Sequence, residues 1–260
     1  MTGAANSIIR VEGLRAAFGD RVILDDISFE VKRGEVLVIL GGSGSGKSTL
    51  LKHMIGLQRA AAGHVWIEGG DMVEARGEER RRLLRRIGVT YQSGALLGSL
   101  TLLDNVRLPL EEFSNLPDEA MDDVARVKLR LVQLEGFEQY LPSEVSGGMV
   151  KRAAIARAMA LDPEILFLDE PSAGLDPITS AELDQLILEL RRTLGITFVV
   201  VTHELPSIYT IADRVVMLDA RTKRIVATGP PVELRDHAAD PWVQRFFRRE
   251  VEPKRTGSAA

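Results

Sequence analysis

"GGSGSGKST", residues 41–49, is the feature that most limits what this chain can fold into. An apolar run, "VLVIL" (36–40), precedes it and an amphipathic stretch, 48–57, follows. From Gly41 to Ser48 the spacing is G-x-x-x-x-G-K-S, in the strand–loop–helix setting that a phosphate-binding loop requires. Gly41, Gly42, Gly44 and Gly46 let main-chain N–H groups turn inward and approach a phosphate. Lys47 offers a point charge to terminal phosphates, and the helix N-terminus adds partial positive charge. Ser48 offers a hydroxyl to Mg²⁺; Ser43, Ser45 and Thr49 belong to the same loop. A glycine–serine linker would not sit between a buried strand and an amphipathic helix.

Further apolar runs recur at 165–168 ("ILFL"), 197–201 ("TFVVV") and 215–218 ("VVML"), with a weaker one at 87–91 ("IGVTY"). They are rich in β-branched residues and lack alternation, as strands covered on both faces of a parallel sheet do. Helical patterns fall between them at 48–57, 150–161 and 179–194. This alternation predicts an α/β layered fold with a mainly parallel sheet. Residues 7–12, 27–31, 64–68 and 224–228 read as half-exposed strands of a separate antiparallel piece, and 93–163 as a mostly helical insertion. The expected organisation is one domain over 1–260, with a C-terminal extension from about residue 235 whose last residues, "EPKRTGSAA", are disordered.

Hydrophobic residues make up 45% of the 260, enough for a sizeable core. A net charge of −4 gives no global pull toward nucleic acid. The absence of cysteine excludes disulfides and thiolate metal sites. With no secretory leader pattern and no run of 18 apolar residues, the chain is expected neither to be secreted nor to span a membrane by itself.

Three more motifs carry chemistry. "ILFLDE" (165–170) ends a strand in two carboxylates, and strand alternation would turn Asp169 toward a metal shell and Glu170 toward an attacking water. Alone this is an ordinary acidic turn; beside a phosphate loop it is a candidate catalytic pair. "VVVTHE" (199–204) puts His203 just past another buried strand, on the sheet edge where open parallel sheets bind ligands. "VSGGMVKRAAIARAMA" (145–160) opens a helix with Ser146, Gly147 and Gly148, a second helix start fit for an anion.

The order of phosphate loop, Gln92, "SGG", "LDE", "SAGLD" (172–176) and His203 resembles the ATPase subunits of ABC transporters, over residues 8 to about 234. The resemblance implies a P-loop NTPase fold of the ABC type, ATP and Mg²⁺ as ligands, and a head-to-tail homodimer holding ATP between one copy's phosphate loop and the other's "SGG" turn. It implies that Lys47, Ser48 and the loop amides hold phosphate, that Gln92 and Asp169 contact Mg²⁺, that Glu170 is the catalytic carboxylate, and that His203 meets the γ-phosphate. Ser146, Gly147 and Gly148 would act on the partner's nucleotide, Asp176 would lie at the dimer seam, and Phe18 would stack on adenine unless it is a core residue. The chain departs from the usual L-S-G-G-Q signature at Val145 and Met149, which puts in doubt a second polar group near the nucleotide.

"QSGALLGSLTLLDNV" (92–106), with "SGGM" and "SAGLDPITSAELD", is similar to a narrower group, the ATPases of Mla/MCE-type lipid transporters. That likeness implies work at the cytoplasmic face of the inner membrane, with a multi-span permease, MCE-domain and small accessory subunits, and no nucleic acid. Leu96 and Leu97 would help form a groove for a permease helix, or else pack within the helical insertion. An alternative is an ATPase of this type that regulates a membrane or soluble complex without moving substrate. DNA-maintenance relatives are disfavoured because Lys47 and Ser146 lie only 99 residues apart, without heptads between them. The run "RGEERRRLLRR" (76–86) reads as a solvated helix face. In "DPWVQRFFRRE" (240–250), Trp242, Phe246 and Phe247 form a helical apolar face, expected to anchor on this chain or on a neighbour.

Overall fold

The computed structural model describes residues 6–250. Two sheets form. The smaller is antiparallel, in the order β2 (Arg21–Lys32), β1 (Ser7–Phe18), β4 (Ala62–Ile67), β5 (Gly70–Asp71). The larger runs β10 (Ile225–Gly229), β9 (Arg214–Leu218), β3 (Val36–Gly41), β8 (Thr197–Val201), β7 (Ile165–Asp169), β6 (Ile87–Thr90). Its five strands from β9 to β6 are parallel, and β10 closes one edge antiparallel to β9.

The apolar runs have the expected cause. Every residue of β3 and β8 is buried, and strand alternation divides their side chains between two cores. Leu37, Ile39, Phe167, Val199 and Val201 face the antiparallel sheet, with α1 (Lys47–Met54) packed between through Leu50, Leu51 and Met54. Val36, Val38, Leu166, Phe198 and Val200 face the helical side. Burying one such side chain stabilises the fold by about 1.5–3 kcal/mol relative to leaving it exposed.

The remaining helices are α2 (Gly77–Arg85), α3 (Leu102–Phe113), α4 (Asp118–Leu131), α5 (Gly147–Ala158), α6 (Pro177–Leu194), α7 (Leu205–Ile211), α8 (Pro231–His237) and α9 (Pro241–Arg248). Residues 93–163 contain α3, α4 and α5 and no strand. Asp176 caps α6 by accepting from the amides of Ile178 and Thr179, Pro177 opens the helix, and left-handed Gly195 ends it.

One strand falls elsewhere than the sequence pattern places it. The strand expected at 224–228 is β10, Ile225–Gly229, at the edge of the large sheet and not part of the antiparallel piece. An edge strand is half exposed in either sheet, so its pattern alone does not choose between them. The proposed disorder of the last nine residues lies outside the described residues. The aromatics of α9 settle on their own chain: Phe247 is 3% exposed, Trp242 and Phe246 pack against the same core, and the Tyr209 hydroxyl donates to the Phe247 carbonyl at 3.2 Å.

Candidate nucleotide site

Parallel pairing in register brings the motifs to one edge. Ile39 pairs with Val201, Asp169 with Val201, and Thr90 with Leu168. The phosphate loop, His203, the Asp169–Glu170 pair and Gln92 therefore leave neighbouring strands at the same carboxyl edge, where open sheets receive ligands.

The loop from Gly41 to Gly46 is shaped by glycine. Gly46 has φ +93°, and a Cβ there would stand 2.7 Å from Leu24 Cδ2. At Gly41 a Cβ would stand 2.4 Å from the Leu218 carbonyl oxygen. No side chain caps α1, and its first turn holds no acidic residue, so nothing there competes with an anion for its amides. The Lys47 ammonium donates to the carbonyls of Gly41 (2.9 Å) and Gly42 (3.2 Å). Burial pushes its pKa down, against the pull of Glu170 and Asp169. Ser48, Thr49, Gly44, Gly46 and Lys47 share a cleft of 350 Å³ with Phe18, Arg21 and Ile23. Phe18 is 52% exposed, so it stands at the cleft and not in the core.

The carboxylates sit less simply than strand alternation predicts. β7 ends at Asp169, and Glu170 takes φ +48°, outside the strand region. The side chains diverge because the chain leaves the strand between them. The Glu170 amide is held by the Val201 carbonyl at 2.8 Å, and Glu170 Oε1 lies 2.8 Å from His203 Nδ1. Asp169 Oδ1 and Glu170 Oε2 are buried without a hydrogen-bond partner. Burial, helped by the Glu170 charge, raises the Asp169 pKa, while Lys52, Lys47 and Lys151 oppose the rise.

The orphaned Asp169 oxygen fits a hard cation held by few protein ligands and by phosphate, while the orphaned Glu170 oxygen is left free for a proton. Among the described residues no cluster of three or more His, Cys, Asp or Glu forms a self-sufficient metal cage.

The "SGG" turn is built but stands apart. Ser146 caps α5, its hydroxyl accepting from the Met149 amide at 3.3 Å. Gly148 is packed so closely that a Cβ would meet Thr179 Cγ2 at 2.5 Å, and Thr179 in turn donates to Asp176 at 2.6 Å. None of Ser146, Gly147, Gly148 or Asp176 lines the Phe18–Lys47 cleft. The fold thus gathers Lys47, Ser48, Gln92, Asp169, Glu170 and His203 at one sheet edge, while the "SGG" turn opens α5; neither that turn nor Gln92, Asp169, Glu170 and His203 lines the cleft beside Phe18.

Three residues that the sequence reading passed over organise the loop after Gln92. Lys151 donates to the Gln92 carbonyl, Arg157 donates to Gly94 (2.9 Å) and Ala95 (2.7 Å), and buried Asn105 holds the Leu97 amide at 2.8 Å. Lys151 and Arg157 carry no motif; a polar Asn on the apolar face of α3 was a readable signal. Leu96 is partly buried against the core of the helical side, while Leu97 is 50% exposed. An apolar cleft of 260 Å³ lies between Leu57, Leu84, Tyr91, Pro109, Phe113 and Leu161. In the arginine run, Arg80 donates to the Gly56 carbonyl, Arg81 pairs with Glu112, and Arg86 pairs with Glu164.

Comparison with known proteins places the chain among relatives. The ABC transporter family model matches residues 24–173. The chain is 42% identical over 230 residues to the intermembrane phospholipid transport system ATP-binding protein MlaF of Escherichia coli K12, covering 88% of this chain and 84% of that one. It is 40% identical over 246 residues to a probable ribonucleotide transport ATP-binding protein, mkl, of Mycobacterium leprae, covering 94% and 70%. It also superposes on the dimeric post-hydrolysis state of the ATP-binding cassette MJ0796 bound to ADP and Pi, with a TM-score of 0.76, 30% identity, and coverage of 85% of this chain and 98% of that one.

Proposed function

Because the chain belongs to the ABC transporter family as an ATP-hydrolysing subunit, we propose that it drives a membrane lipid transporter of the Mla/MCE type, moving phospholipids or related lipids between envelope membranes. The observation that carries hydrolysis is the meeting of Lys47, Gln92, Asp169, Glu170 and His203 at one sheet edge. The likeness to MlaF carries the cargo.

In this reading Phe18 stacks on adenine, and the loop of Gly41, Gly42, Ser43, Gly44, Ser45 and Gly46, with Lys47, Ser48 and Thr49, holds the phosphates. Ser48, Gln92 and Asp169 would hold Mg²⁺, which when bound would supply positive charge to the phosphate oxygens. Glu170 accepts the proton of the attacking water through Oε2, the oxygen left without a partner. His203, held against Oε1, orients that carboxylate and meets the γ-phosphate. Ser146, Gly147 and Gly148 of one copy close over the nucleotide of a second copy, with Asp176 at the seam.

A multi-span permease completes the machine, joined by MCE-domain and accessory subunits. Among the described residues no helix is long and apolar enough to cross a membrane, which suits a peripheral place on the cytoplasmic face of the inner membrane. The apolar cleft beside Tyr91 supports docking of a permease helix there. The M. leprae relative favours a second reading, ribonucleotide cargo. Reconstituting the chain with its co-purifying membrane subunit tests both. Stimulation of ATPase activity by phospholipid supports the first reading, and stimulation by ribonucleotide alone would replace it.

A further inference from the structure

The loop that carries Gln92 lies along α5. A Cβ at Gly94 would touch Val150 Cγ1 at 3.2 Å and Ala154 Cβ at 3.6 Å. Arg157, one turn beyond Ala154, clamps the carbonyls of Gly94 and Ala95. Lys151, one turn in from the "SGG" start, does more. Its ammonium donates to the Gln92 carbonyl and reaches the Glu170 carbonyl at 3.5 Å. It thereby joins two strand ends, β6 and β7, to the helix whose first residues are Ser146, Gly147 and Gly148.

We propose that Lys151 is a positioning residue for hydrolysis, fixing the main chain at Gln92 and at Glu170 relative to each other and to the "SGG" helix. This deepens the reading of the site given above and rests on it. The Glu170 carbonyl also accepts from the Ala173 amide at 3.2 Å, so there Lys151 reinforces a left-handed turn that its own backbone already braces, and its closer contact is with the Gln92 carbonyl. The ammonium also stands among Glu170, Asp169 and Glu204, which favour its charged form against the burial that lowers its pKa. A side chain without the amino group, such as alanine, would leave the Gln92 carbonyl without this donor and remove a cation from beside the catalytic pair.

The test compares Lys151→Ala and Lys151→Arg with wild type and with Glu170→Gln in the full-length protein. Four quantities are measured: kcat, KM for ATP, melting temperature, and amide hydrogen exchange over residues 91–97. A misplacement of about 1 Å near a reacting centre can cost on the order of 10²-fold. Lys151→Ala should therefore lose at least about tenfold in kcat with KM changed less than about threefold. Exchange in 91–97 should quicken, melting should stay near wild type, and Lys151→Arg should restore much of the rate. Wild-type kcat in Lys151→Ala, or equal losses in the Ala and Arg variants with unchanged exchange, would overturn the proposal. Should Lys151→Ala fail to fold, Lys151→Arg decides alone: near-wild-type kcat and exchange support the donor role, and a tenfold loss with normal melting refutes it. Near-normal hydrolysis by Glu170→Gln would instead overturn the site itself, whatever Lys151 does.

Discussion

His203 Nδ1 stands 2.8 Å from Glu170 Oε1, while the other oxygen of that carboxylate is buried and unpartnered. One oxygen is held and the other is left free for a proton, which is the arrangement a general base needs. Glu170→Gln keeps the shape and removes the basicity. It should bind ATP as wild type does and hydrolyse it about 10²–10⁴-fold more slowly. Rapid-quench single-turnover assays beside nucleotide-binding titrations check this. A rate within about threefold of wild type would exclude Glu170 as the base.

His203 should behave as an orienting group. His203→Ala frees Oε1 and removes one γ-phosphate contact, so it should lower kcat far more than it weakens ATP affinity in the absence of Mg²⁺, because Lys47 and the loop amides are untouched. Isothermal titration with and without Mg²⁺ separates the two effects. A matching loss of Mg²⁺-free affinity would place His203 in binding instead.

Much of this site is legible in the amino-acid sequence. The phosphate loop declares itself because its glycines are forced by φ and by close approach, and the core strands because both faces are buried. What escaped was set by three-dimensional context. The sheet to which residues 224–228 belong is set by antiparallel pairing with β9, the strand just before it in the chain, and a half-exposed pattern does not show that pairing. The left-handed turn at Glu170 hides behind a residue type that seldom adopts it. Lys151 acts through backbone carbonyls, which no side-chain pattern reveals.

Asp184 gives a pH-dependent prediction. It is 4% exposed on α6, and burial raises its pKa to about 6, with Glu204 adding to the rise and the Ser207 hydroxyl countering it. The folded value lies above the unfolded one, so the favourable contribution is complete below pH 4 and is lost as pH climbs toward about 6. Asp184→Asn should therefore raise the melting temperature relative to wild type more at pH 7.5 than at pH 4.5. Scanning calorimetry at the two pH values measures it, and an equal difference at both would contradict the shift.

The C-terminal helix should matter for stability, not for nucleotide. Phe247→Ala empties a buried site and should cost about 3–5 kcal/mol. Trp242→Ala, at a partly buried position, should cost less. Urea melts with and without ATP test this, and the increment due to ATP should be the same in both variants as in wild type. Wild-type stability in Phe247→Ala would mean the helix does not pack as described.

The chain superposes on a dimeric ATP-binding cassette, so its nucleotide should likewise be shared between two copies, one giving the phosphate loop and the other the "SGG" turn. Mixing two inactive variants tests that most directly. Lys47→Ala destroys the phosphate loop, and Ser146→Arg blocks the turn with bulk and charge. In a head-to-tail dimer of one chain of each kind, one site carries both defects and the other carries neither. Refolding or subunit exchange at equal amounts should then restore ATPase activity, up to roughly a quarter of wild type for random pairing with independent sites. A mixture no more active than the two variants measured apart would show that each ATP is bound and hydrolysed within a single chain.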